Sequence, residues 1–201
     1  MRSFVWDEAL SHYRELLGAE EWLEVSMCWT VIIPTGGEIS DDELIQGLSG
    51  GRRVELRFGG IGEFDLEDET VVSFDRTGSM VTLFEGIGTQ GRKPNVLRRI
   101  SRNARVCGVG WDIDGNSRLN YFAEGAILAS VDAAEPEDIH GDDQAVLQPE
   151  LRLLSEVIAS SDGDDWQAGA LAVVEKVTGL RLTSQWLSGR YPCVLMPMAG
   201  G

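Results

Sequence analysis

Between Gly86 and Val131 the chain passes from a strand end through a glycine loop and a basic helix into three alternating segments joined by tight turns. Alternation with a period of two predicts strands over 105–113, 118–123 and 127–131, linked by Asp114-Gly115-Asn116 and Glu124-Gly125. Links this short join antiparallel neighbours, since parallel strands need a long crossover. In the first strand Cys107, Val109, Trp111 and Ile113 share a face. Gly108 and Gly110 thin the other, as happens where another backbone comes close.

The flanking segments fit around this meander. Trp6, Ala9, Leu10, Tyr13, Leu16 and Leu17 recur at helical spacing, and Gly18 closes that helix. Val25, Met27, Trp29, Val31 and Ile33 alternate along a half-buried strand ending at Pro34. Ser40 and Glu43 form a capping box for a short helix through Leu44, Ile45 and Leu48, which Gly50-Gly51 stops. Strands follow at 54–58, 71–75 and 80–85, the last two joined by a hairpin at Arg76-Thr77-Gly78-Ser79. Pro94 starts a helix over 94–102 with Val96, Leu97 and Ile100 inward. Residues 132–148 are acidic and lack periodicity, and read as a linker or a surface loop. Two helices then turn Leu151, Leu154, Val157 and Ile158, and Trp166, Ala170, Leu171, Val174 and Val177, toward a core. A last helical turn runs through Trp186 and Leu187, and the tail beyond Pro192 reads as loosely held. The expected fold is α+β, a mainly antiparallel sheet of six or seven strands with helices on one face. One domain spans 1–201: an N-terminal helix in 1–20, a sheet with inserted helices in 24–131, and C-terminal helices in 149–188.

Charge narrows the functions. The net charge of −16 disfavours nucleic acid as a partner, because neutralising phosphates needs a basic footprint. Within the acidic chain, however, Arg92, Lys93, Arg98, Arg99, Arg102 and Arg105 are six cations in fourteen residues with no acid among them. On a helix Arg98, Arg99 and Arg102 fall opposite the apolar face, where they form a docking surface for an acidic partner or a phosphorylated group, or else a solvated face paired with the chain's own carboxylates. Cys28, Cys107 and Cys193 are an odd, scattered set, which fits free thiols in a reducing compartment. Early acidic residues and the lack of a long apolar run point to a cytoplasmic protein without a membrane partner. The oligomeric state is not legible.

No catalytic constellation emerges. His12 and His140 are the only histidines, and neither neighbours a nucleophile motif. Asp112-Ile113-Asp114-Gly115-Asn116 opens like a calcium loop but lacks its later ligands, so it reads as a turn and no metal is expected. Glu63, Asp65, Glu67, Asp68 and Glu69 read as a solvated acidic loop. Gly86, Gly88 and Gly91 match G-x-G-x-x-G, with Asp112 placed where a dinucleotide site holds a ribose. Pro94 delays the helix past those glycines, which argues for a simple bend and no cofactor.

Glu21-Trp22-Leu23, Cys28-Trp29-Thr30, Pro94-Asn95-Val96-Leu97-Arg98-Arg99-Ile100-Ser101 and Gly110-Trp111-Asp112-Ile113-Asp114-Gly115-Asn116-Ser117-Arg118 resemble an uncharacterised actinobacterial family of unknown function. Ala129-Ser130-Val131-Asp132 and Thr178-Gly179-Leu180-Arg181-Leu182-Thr183 extend the resemblance over roughly residues 20–187. It implies a soluble cytoplasmic protein and carries no catalytic residue. The leading expectation is a non-enzymatic protein-binding module of the immunity or regulatory kind, docking through charged surfaces, either the acidic loops or the basic helix 94–102 with Arg98, Arg99 and Arg102. The alternative is a small-ligand or nucleotide binder using the Gly86–Gly91 loop.

Overall fold

The computed structural model describes residues 4–64, 69–87 and 90–197. In chain order these form α1 (Trp6–Ala19), α2 (Trp22–Val25), β1 (Met27–Pro34), α3 (Asp41–Ser49), β2 (Glu55–Gly60), β3 (Glu69–Thr77), β4 (Met80–Glu85) and α4 (Pro94–Ile100). They continue with β5 (Ala104–Trp111), β6 (Ser117–Ala123), β7 (Ala126–Val131), α5 (Gln148–Ser160), α6 (Trp166–Thr178), α7 (Ser184–Leu187) and β8 (Arg190–Pro197). All eight strands belong to one sheet, in the order β2-β8-β3-β4-β1-β5-β6-β7, and neighbouring strands are antiparallel. The class is α+β, as the patterning requires.

Local signals act where they were read. Ser40 accepts from the Glu43 amide while the Glu43 carboxylate accepts from the Ser40 amide, and Gly50 closes α3 in the left-handed conformation. Gly108 faces Thr30 across the ladder, and a β-carbon there would lie 3.0 Å from the Trp29 carbonyl oxygen. Gly110 is as tight, with the Met27 carbonyl oxygen 2.8 Å away. The two glycines let β5 pack against β1.

Four expectations need correction, each because a non-local contact overrides a local pattern. First, the helices cover both faces of the sheet. Trp29, Val31, Cys107, Val109 and Leu119 pack under α1, α5 and α6. Ile32, Val81, Leu83, Val106 and Phe122 pack under α3 and α4. Strand β1 is therefore buried on both sides, not half-buried, which explains its unbroken apolar run. Second, the C-terminal tail is an interior strand: β8 lies between β2 and β3, with Cys193 to Met196 fully buried. It raises the strand count to eight. Third, residues 132–148 are no linker but a segment packed on the sheet. Ala133 and Leu147 are buried, and the amides of Ala133 and Ala134 donate to the Ser117 hydroxyl at 3.0 and 3.2 Å. Fourth, β5 stops at Trp111, which leaves Ile113 at 80% exposure in the following turn.

Candidate functional site

Lys93 has extended angles, as a residue before proline must, so α4 starts at Pro94. It ends at Ile100, earlier than the sequence suggested, because the Ser101 carbonyl accepts from the amides of Ala104 and Gly125 as the chain turns into β5. Val96, Leu97 and Ile100 face the core. Gly47 permits close contact between α3 and α4, since a β-carbon there would meet the Ile100 side chain at 2.6 Å.

This geometry separates the basic residues. Arg92 leaves the cluster: it reaches back to pair with Asp112 and donates to the Asn116 carbonyl at 2.7 Å. Arg98 is exposed. Arg99 crosses to α3, where its Nε donates to the Gly47 carbonyl at 2.8 Å and its Nη2 to the Leu48 carbonyl at 3.4 Å. It thus caps a helix C-terminus, where a cation is favoured by the dipole. Arg102 lies beyond the helix, exposed, beside Gly125. Arg52, which the sequence reading missed, joins from the segment after α3, its Nε donating to the Ser49 carbonyl at 3.0 Å. Burial first, then the Arg52 and Arg102 charges, lower the pKa of Arg99.

A cleft of about 360 Å³ opens here, lined by Gln46, Arg99, Arg102 and Asn103, with Glu43 at its side held in the capping box. The ion pairs among the described residues take Arg14, Arg57, Arg76, Arg92, Lys176, Arg181 and Arg190. Among those residues nine cations have no carboxylate partner, Arg52, Arg53, Lys93, Arg98, Arg99, Arg102, Arg105, Arg118 and Arg152, and four of them, Arg52, Arg98, Arg99 and Arg102, gather where α3 meets α4, in a chain of net charge −16.

The glycine loop is occupied from within. Gly88 lies outside the described residues, as do Asp65, Glu67 and Asp68 of the acidic loop. The amides of Gln90 and Gly91 donate to the Glu85 carboxylate at 2.9 and 2.6 Å. A β-carbon on Gly91 would come within 2.7 Å of the Cys28 sulfur and 2.8 Å of the Thr30 hydroxyl, so this glycine serves interior packing. Gly86 abuts Trp22 and Ile61. Asp112 accepts from the Asn116 amide at 3.0 Å and from the Asp114 amide at 3.1 Å, which is the bonding of a turn. Both histidines are held within the fold: His12 bonds the Leu182 carbonyl at 2.7 Å, and the His140 backbone bridges to Ser130. Among the described residues no group of three or more His, Cys, Asp or Glu is placed to hold a metal ion. No helix of those residues is long and apolar enough to cross a membrane.

Glu85 is only 2% exposed, and burial raises its pKa despite the two amides and the charges of Lys93 and Arg92. A raised folded-state pKa means the native protein holds the proton more tightly than the unfolded chain does. Stability from this group is therefore fully present below the ordinary glutamate value and falls as pH rises through the folded pKa. Denaturant midpoints taken across that range should show the fall in the wild type and lose it in Glu85→Gln, read as the difference between the two profiles. Parallel profiles would refute the assignment.

A second surface feature is an apolar groove of about 560 Å³ lined by Trp22, Val25, Ile61, Gly86, Ile87 and Leu187. It is assembled from four separate segments, and no single stretch of sequence announces it.

The profile of one family, described as a family of unknown function (DUF6461), matches residues 63–200. The match starts later and ends later than the resemblance read from the motifs. No curated protein and no solved structure matches the chain.

Proposed function

The chain belongs to DUF6461, a family of unknown function, and from that premise we propose that it is a non-enzymatic binding protein that docks an acidic protein segment on the Arg98, Arg99 and Arg102 surface. We place it in the actinobacterial cytoplasm, as an immunity or regulatory protein. The observation that supports docking is the set of arginines without carboxylate partners around the α3–α4 cleft, within a strongly acidic chain. A cationic patch with Glu43 as the one acidic residue lining its cleft, inside an overall negative field, selects the approach and orientation of an acidic partner. The Arg99 cap fixes one guanidinium rigidly, and the cleft beside it gives an acidic side chain a recess. The loop at Gly86–Gly91 favours this reading over a nucleotide seat, since its Gln90 and Gly91 amides already bind Glu85.

The test keeps the Arg99 cap intact. Arg98→Ala/Arg102→Ala should lose capture of an acidic protein from the native host by about tenfold or more, equivalent to about 1.4 kcal/mol or more. Capture by the wild type should also weaken as salt rises, because exposed charges are screened beyond about 8 Å at physiological ionic strength. Arg152→Ala, an exposed arginine on α5, should leave capture unchanged. Equal recovery by wild type and double variant would sink the proposal.

A further inference from the structure

The two edges of the sheet are finished differently. At β7 the chain covers itself: Ser130 and His140 exchange backbone hydrogen bonds of 2.7 and 2.9 Å, and the Asp142 and Asp143 amides donate to the Ile127 and Leu128 carbonyls at 2.9 and 3.0 Å. At the other edge β2 pairs on its inner side with β8, from Glu55 opposite Leu195 to Gly60 opposite Arg190. On its outer side, no backbone group among the described residues pairs with Glu55 to Phe58. All four of these residues are exposed, Leu56 by 57% and Phe58 by 63%. Natural edges are usually short, covered or kept free of large apolar side chains, because an open edge templates another strand.

We propose that β2 is the interface of a homodimer, in which the β2 strands of two copies pair antiparallel about a two-fold axis at Leu56 and join their sheets into one. The residues of the strand select a second copy as occupant. Centred on Leu56, the pairing sets Glu55 of each copy opposite Arg57 of the other, Leu56 on Leu56, and Phe58 opposite Val54. Within one chain Arg57 Nε already lies 2.8 Å from the Glu55 carboxylate, so the four charges close into an alternating set across the axis. Centring the axis on Glu55 or on Arg57 instead would place like charges directly opposite each other, as would parallel pairing in register, and such pairs destabilise a ladder. Shifting the register by one residue would set apolar side chains against charged ones. The apolar members are also on the correct side. Leu56 pairs with Val194, whose side chain belongs to the core under α3 and α4, so Leu56 and Phe58 extend that apolar face across the axis. This interface is self-complementary, as a two-fold contact must be.

The contact is small, so the dimer forms reversibly with concentration. Sedimentation of the wild type from micromolar to millimolar concentration should show monomer passing into dimer. Glu55→Arg sets arginine against arginine and should weaken dimerisation by about tenfold or more, while Glu55→Arg/Arg57→Glu restores the opposite-charge pairs and should recover it. The changed side chains are exposed, and circular dichroism checks that each variant retains its fold. A wild type that stays monomeric throughout, a Glu55→Arg dimer of unchanged strength, or a double variant as weak as Glu55→Arg would each overturn the proposal.

Discussion

Ending the chain at Tyr191 should abolish cooperative folding. The segment removed contains most of β8, which is hydrogen bonded to β2 on one side and β3 on the other. Cys193, Val194, Leu195 and Met196 are each buried to 1% exposure or less. Burying a valine, leucine or methionine side chain contributes about 1.5–3 kcal/mol, so Val194, Leu195 and Met196 together contribute about 5–9 kcal/mol. That is comparable with the whole net stability of a typical domain, about 5–15 kcal/mol. The loss also exposes the interior edge of β3 and leaves β2 with no partner strand among the described residues. Far-ultraviolet circular dichroism during a urea titration checks this. A truncated chain that retains a sharp unfolding transition would show that β8 is dispensable.

Trp111→Ala is the second large effect. Trp111 ends β5 at 2% exposure. Its indole Nε1 donates to the Leu23 carbonyl at 2.7 Å, and its ring meets Trp166 edge-on at 5.3 Å. The residue therefore ties α2, the sheet and α6 together. Removing a buried tryptophan to alanine costs about 3–5 kcal/mol, through lost burial and the cavity left behind. For a domain of this size that corresponds to a fall of about 6–20 °C in Tm. Trp111→Phe retains most of the packing and loses the hydrogen bond to Leu23, so it should fall between the two. Thermal denaturation followed by tryptophan fluorescence and calorimetry measures the series. An alanine variant within about 0.5 kcal/mol of wild type would contradict this account, since that is the scale of an ordinary surface change.

The candidate site was legible only in part. The run from Arg92 to Arg105 stands out in an acidic sequence, and Arg98 and Arg102 are exposed as its spacing suggests. Nothing local indicates that Arg92 belongs to the β5–β6 turn, that Arg99 caps α3, or that the Arg52 charge bears on Arg99. These are contacts between segments tens of residues apart, and helical spacing carries no information about them. The glycine motif misleads for a related reason. Its composition suits an incoming phosphate, and only the arrangement of β4 reveals that Glu85 already receives the Gln90 and Gly91 amides.

The sequence by itself determined the elements whose causes lie within a few residues: the α1 stripe, the Ser40–Glu43 cap, the start of α4 at Pro94, and the hairpins from β3 to β4 and β5 to β7. Periodicity, capping and turn geometry act over that range, so the pattern suffices. The tertiary structure alone decided that β1 enters between β4 and β5, that β8 enters between β2 and β3, and that helices cover both faces. Strand order depends on which distant apolar faces are buried together, and a short apolar run such as Cys193 to Met196 has the same appearance at a frayed end as at the centre of a sheet until its neighbours are in place.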